Sequence, residues 1–123
     1  MDKEARKGEI TAVFQQHFGI KPQVWSRAPG RVDLMGSHTD YNMGYVMTMT
    51  IDRDTWVAAA ARSDDRVRLR SMNLPGESRL SLDEIKHDQR VPWSNYIRGM
   101  VLVLQQADYP ISGFDALIHS TLP

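Results

Sequence analysis

The sequence predicts an α+β fold with a mostly antiparallel sheet and helices packed on one face, and three observations carry that prediction. Near the start, Ile10, Val13, Phe14, His17 and Phe18 fall at three- and four-residue spacing, the pattern of an amphipathic helix. From about residue 24 to 82 the pattern becomes alternation and short apolar runs broken by Gly, Pro, Asn and Asp, which is strand and turn chemistry. A second helical stretch and one more apolar strand follow, so the strands are grouped between helices rather than interleaved with them.

In chain order, Lys3 to Phe18 form the first helix, and Gly19 is its stop. Val24 to Ala28 is a strand, and Arg31 to Met35 is a second short one. Gly36 opens a polar loop that Gly44 closes, and Tyr45 to Ile51 is strand-like, with Tyr45, Met47, Met49 and Ile51 on one face. Thr55–Ala61 and Arg66–Arg70 flank Ser63-Asp-Asp65, which reads as a hairpin turn. The alternation of Arg with Val and Leu leaves one side of the second strand facing water. Asn73 to Gly76 is a turn, and Glu77 to Leu82 another strand. Ser81 and Glu84 have capping-box spacing, but the pattern fades into a loop or one short helical turn over residues 86–90. A helix from Asn95 to Gln106 carries Tyr96, Ile97, Met100, Val101, Val103 and Leu104. Burial rather than propensity holds it, because Val, Ile and Tyr are indifferent helix formers. Gly113 to Ser120 is the last strand. Residues 1–123 are expected to form one domain.

Bulk properties narrow the function. Fifteen basic residues balance fifteen acidic ones, which leaves no electrostatic footprint for nucleic acid. The longest apolar run, Met100 to Leu104, is far too short to span a membrane, and the charged start has no apolar segment behind it to make a signal peptide. Without cysteine there is no disulfide, thiolate metal site or thiol nucleophile. The expectation is a cytoplasmic protein whose partners are small molecules; no metal cluster and no oligomeric state is read from the sequence.

The stretch Arg27-Ala-Pro-Gly-Arg-Val-Asp-Leu-Met-Gly-Ser-His-Thr-Asp-Tyr-Asn-Met-Gly-Tyr45 concentrates Gly, Arg, His and Asp between apolar flanks. Glycine lets backbone approach a ligand, and convergent polar side chains supply specificity, so this is a binding loop for a small polar molecule. His38 and Asp40, two apart on an extended loop, project to the same side. A carboxylate and a neutral imidazole so placed can hold adjacent hydroxyls. Spacing alone gives no reaction, and one His with one Asp does not make a metal site.

Residues Arg27 to Asn42 resemble the galactokinase signature, the sugar-binding motif of the sugar branch of the GHMP small-molecule kinases. Trp93-Ser-Asn-Tyr-Ile-Arg-Gly99 resembles the Trp-x-Asn-Tyr helix start further along the same family. The resemblance implies the N-terminal lobe of an ATP- and Mg2+-dependent sugar kinase acting on the anomeric hydroxyl of galactose or a related sugar. It places Arg31 at the transferring phosphoryl group and in contact with substrate. It places Ser37, His38 and Asp40 on the sugar hydroxyls, and Trp93 and Tyr96 on the nucleotide. Structural alternatives stand beside each role: Arg31 paired with Asp33 or a carbonyl, His38 satisfied in a core, and Trp93 and Tyr96 packed at a helix start. Arg27 reads as the structural arginine of the two. Tyr41, Asn42 and Gly44 shape the turn, and His17, His87 and His119 carry no pattern.

Two departures from the family pattern matter. Asp33 stands where Asn is usual, adding charge that Arg31 or Arg27 can neutralise. Ser37 stands where Glu is usual, a shorter and uncharged side chain at the far end of the sugar. Galactose would then bind more weakly or through another donor, or the pocket would take a pentose, an amino sugar or a uronic acid. In the family a Leu-Pro like Leu122-Pro123 runs into a glycine-rich phosphate loop. Neither that loop nor the catalytic Asp and C-terminal lobe is found in these 123 residues. The expectation is a fragment inactive by itself, with the Mg2+ ligands elsewhere. The rival is a non-catalytic sugar- and nucleotide-binding sensor, and a third reading is a stable domain with no ligand affinity.

Overall fold

The computed structural model describes residues 2–35 and 47–122, with Asp33 and Met35 described through their backbone alone. Helix α1 (Lys3–Phe18) begins at Asp2, whose carboxylate accepts the N–H of Ala5 at 2.7 Å. Strands β1 (Val24–Met35), β2 (Met47–Ala61), β3 (Arg66–Ser71) and β4 (Glu77–Ser81) follow. A single 3-10 turn, Pro92–Ser94, leads into α2 (Asn95–Gln106), and β5 (Phe114–Ser120) comes last.

The α+β class and the mainly antiparallel sheet hold. The sheet runs β1-β2-β5-β3-β4, and β3 with β5 is the parallel pairing among those described. The two short strands expected at residues 24–28 and 31–35 are one strand, β1. The run expected over residues 45–51 continues, from Met47, through Ala61 as β2, since β-bulges absorb the irregularity without ending the ladder.

The hairpin expected across Ser63-Asp-Asp65 does not form, because β5 lies between β2 and β3. The physical reason is burial on both faces. Val57 to Ala60 of β2 are apolar toward both sides of the sheet, and their neighbour must be so too. Ala116, Leu117 and Ile118 of β5 meet that requirement, whereas β3 carries Arg at every second position. The turn over residues 62–65 therefore crosses the start of β5, bonding Arg62 N to Gly113 O at 2.9 Å and Gly113 N to Asp64 O at 3.1 Å. A Cβ on Gly113 would collide with the carbonyls of Asp64 and Arg66, so only glycine lets the strand pass there.

The helices do not share one face of the sheet. Ile10, Phe14 and Phe18 of α1 pack on Ala58, Ala60 and Leu117. Ile97 of α2 and Trp93 pack against the cluster of Val67, Leu69, Leu80 and Ala116, with Val57 and Ala59. Consecutive strand residues point to opposite sides, so α1 and α2 lie on opposite faces. Two-sided apolarity in β2 and β5 makes this necessary, as one covered face would leave the other in water. On α2, Val101 is buried, while Tyr96, Met100 and Val103 are exposed, fewer inward positions than the apolar pattern suggested. The capping-box spacing at Ser81 and Glu84 makes a turn closed by an isolated bridge rather than a helix start.

Candidate functional site

Two regions meet at the edge where β1 and β2 leave the sheet. The first is the bulge around Gly30. Pro29 pairs with Asp54 and Arg31 with Thr50, so two steps along β1 match four along β2. Arg31 is exposed at this irregularity, opposite Thr50. Gly30 is buried, and a Cβ there would run into the side chain of Leu122 and come within 3.1 Å of Arg53 O. Glycine is what allows Leu122 to lie against the strand beside Arg31.

The second region is a cavity of about 480 Å³ on the α2 face of the sheet. Trp93, Tyr96 and Ile97 form one wall and Val57, Ile118 and Leu122 another, so it is largely apolar and aromatic. Trp93 is half-buried and donates its indole N–H to Pro75 O at 3.1 Å. Tyr96 is 87% exposed, so it is not a core residue. The two aromatics predicted from the Trp-x-Asn-Tyr pattern thus line one pocket. Leu122 belongs to both regions, lining the cavity and packing at Gly30 next to Arg31.

The polar rim of the cavity escaped sequence reasoning. Asn73 clasps the end of β5, its amide donating to Ser120 O at 2.8 Å and its carbonyl accepting Ser120 N at 2.7 Å. Ser71 Oγ accepts the N–H groups of Asn73 and Leu74, and the hydroxyls of Thr55 and Ser120 lie 2.9 Å apart. The turn signal at residues 73–76 was visible, but not the reach of Asn73 across 47 positions.

Behind the bulge sits a buried ionic knot. Asp54 accepts from Arg6 Nη1 and Arg27 Nε, both at 2.5 Å, and from Trp56 Nε1 at 3.1 Å. Burial would raise its pKa, but the two guanidiniums and the indole outweigh it and hold the carboxyl well below the ordinary 3.8. Arg27 is tied to this knot, consistent with its structural reading. His119 accepts Arg6 Nε on Nδ1 at 3.0 Å, which requires a neutral ring; burial, then the Arg6 charge, lowers its pKa. Asp54 N–H also bonds Thr121 Oγ1, and Thr121 N–H bonds Asp54 O, both at 2.9 Å, so the knot fixes the approach to Leu122.

Ser37, His38 and Asp40 lie outside the described residues, as do Tyr41, Asn42 and Gly44, and so does the side chain of Asp33. Among the described residues no group of three or more His, Cys, Asp or Glu side chains is placed to hold a metal. No described helix is long and apolar enough to cross a membrane.

Comparison with known proteins bears on the whole arrangement. A galactokinase galactose-binding signature matches residues 12–61. A crystal structure of Lactococcus lactis galactokinase complexed with galactose superposes with a TM-score of 0.82 at 39% identity, covering 94% of this chain and 31% of that one. The Methanococcus jannaschii mevalonate kinase superposes at 0.64 with 24% identity, over 81% of this chain and 33% of that one, a likeness of fold alone. The fold is that of the GHMP kinases. A galactokinase of Roseiflexus sp. (strain RS-1) is 51% identical over 116 residues, 94% of this chain. Over nearly its whole length the chain is similar to galactokinases, and it spans about 29% of the length of such curated relatives.

Proposed function

We propose that the protein carrying this chain is a galactokinase-like enzyme that transfers the γ-phosphoryl group of ATP to the anomeric hydroxyl of galactose or a close relative. The observation that carries the reading is the shared wall at Leu122. A largely apolar, aromatic cavity, suited to a nucleobase stacked by Trp93 and Tyr96, opens beside the strand that presents Arg31. In this reading Arg31 faces the transferring group, where a guanidinium stabilises developing negative charge through paired N–H donors. Ser37, His38 and Asp40 orient the sugar, and the short Ser37 side chain sets tolerance at the far end of the ring. Residues 1–123 form one N-terminal domain of the longer enzyme, working in the cytoplasm.

Mg2+ neutralises phosphate charge in such transfers. Its ligands are proposed to lie outside residues 1–123. The sequence contains no glycine-rich loop to cradle phosphates, and residues 1–123 by themselves are proposed to be inactive.

Steady-state kinetics on the full-length protein test the reading. Arg31→Ala should lower kcat by roughly 100- to 1,000-fold with a small change in KM for sugar. Trp93→Ala should raise KM for ATP and leave KM for sugar near its starting value. Ser37→Glu should shift preference among galactose, pentoses and uronic acids; a firm galactose preference indifferent to that change would end the altered-specificity idea. Galactose binding by calorimetry with no turnover in the unmodified protein would favour the sensor over the enzyme.

A further inference from the structure

On the α1 face, away from the aromatic cavity, the β3–β4 edge of the sheet carries a cleft of about 240 Å³ lined by Arg62, Arg66, Arg68 and Arg79 with Val67 and Leu80. Register explains the convergence. Arg66, Arg68 and Arg70 alternate with Val67 and Leu69, which are buried toward the other face, and Arg68 sits directly opposite Arg79. Like charges directly opposed across a ladder are destabilising, so this arrangement is not one that packing alone would favour.

Carboxylates hold part of the cleft in place. Asp115, almost fully buried, accepts Arg62 Nη1 and Arg68 Nε on Oδ1 at 2.9 and 2.8 Å, and Arg68 Nη2 on Oδ2 at 2.9 Å. Asp64 accepts from the other two nitrogens of Arg62, Nε on Oδ1 and Nη2 on Oδ2, each at 2.9 Å. Arg68 also lies over the Phe18 ring at 5.0 Å. These two guanidiniums are fixed from behind. At the mouth, Arg79 gives only its Nε to Glu77, at 2.7 Å, and no described carboxylate pairs with Arg66. Two guanidiniums locked at the base and two with donors to spare at the rim make an incomplete charge cluster.

We propose that this cleft binds a small multivalent oxyanion of the phosphate class, with Arg66 and Arg79 closing on it and Arg62 and Arg68 forming its base. Planar guanidiniums match phosphate oxygens in pairs, and the volume, below the roughly 300 Å³ at which pockets for drug-sized molecules begin, suits one or two phosphoryl groups. The site lies across the sheet from the cavity assigned above to the nucleotide and does not depend on that assignment.

Inorganic pyrophosphate titrated into the purified protein by isothermal calorimetry, at constant ionic strength, is the test. Saturable binding is expected, weakened at least tenfold by Arg66→Ala combined with Arg79→Ala. Both side chains are exposed, so the double variant should keep its circular dichroism and melting temperature. Arg66→Lys with Arg79→Lys keeps the charge but removes the paired donors, and should also weaken binding. Trp93→Ala should leave the pyrophosphate isotherm unchanged. The proposal is overturned if the alanine pair binds like the parent, if the lysine pair does, if sodium chloride alone reproduces the heat, or if Trp93→Ala abolishes it.

Discussion

Asp54 is a single residue on which three distant parts of the chain depend, two of them through its carboxylate. Through Arg6 it ties α1 to the sheet, through Arg27 it stiffens β1 just before the bulge, and through its backbone it holds Thr121. Removing one member of a buried ionic cluster strands the charges that remain, which costs about 3–5 kcal/mol. Asp54→Asn should therefore destabilise the fold by about that amount at pH 7, measured by urea denaturation. The pH dependence follows from the lowered pKa. Above the ordinary value of 3.8 the carboxylate is ionised in both states, and the full contribution of the knot is present. As pH falls below 3.8 the unfolded chain takes up a proton that the native carboxylate resists, so that contribution is lost progressively. The gap between parent and variant should close on acidification. Parallel stability curves from pH 7 to 3 would show that Asp54 is not the group responsible.

At the scale of elements, the linker from β4 to α2 has no regular structure beyond a turn, yet it delivers Trp93 to the cavity beside Tyr96 of α2. One buried arginine on α2 organises it. Arg98 Nη1 donates to Lys86 O at 2.9 Å, Nη2 to Arg79 O at 2.9 Å and Ser78 Oγ at 2.7 Å, and Nε to Ser94 Oγ at 3.3 Å. Asp88 pairs with it at 3.2 Å and accepts the N–H groups of Arg90 and Val91; burial raises its pKa, but these bonds prevail and lower it. Arg98→Lys keeps the charge but cannot make this fan of planar bonds. On the function proposed above, it should raise KM for ATP several-fold in the full-length protein while kcat changes less than twofold, with tryptophan fluorescence reporting a displaced Trp93. Equal effects on kcat and KM for sugar would mean a general loss of structure instead. This element also marks what the sequence could reveal. The bounds of α1 and α2 were legible because periodicity is local. The insertion of β5 between β2 and β3, and the fan around Arg98, were not, because they depend on partners far apart in the chain, Ser78 with Arg98 or Gly113 with Asp64. The aromatic pair of the cavity was legible from one contiguous pattern, whereas Asn73, Ser120 and Leu122 come from separate segments with common turn residues.

Over the whole molecule, cover is uneven, and that predicts where it opens first. The central strands are sealed: Ala58, Leu69 and Leu117 are at most 1% exposed, beneath α1 on one side and the Ile97–Trp93 layer on the other. Past Asp54 the sheet narrows to a two-stranded ribbon, because β5 pairs with β2 only from Thr55 onward. On that ribbon Val32, Leu34, Met47 and Met49 share a face and are 42–55% exposed, so little apolar burial holds it beyond its own ladder. Local opening free energies follow such differences in burial. Native-state hydrogen exchange on the 123-residue chain should therefore find the amides of residues 57–60, 67–69 and 115–117 slowest. Those of residues 31–34 and 48–50 should exchange at least about a hundredfold faster. The gradient should persist on dilution, since it arises from the order of the strands within one chain. Uniform protection along β2 at low concentration would contradict it, and would mean that the ribbon carrying Arg31 is held by something other than the pairing of β1 with β2.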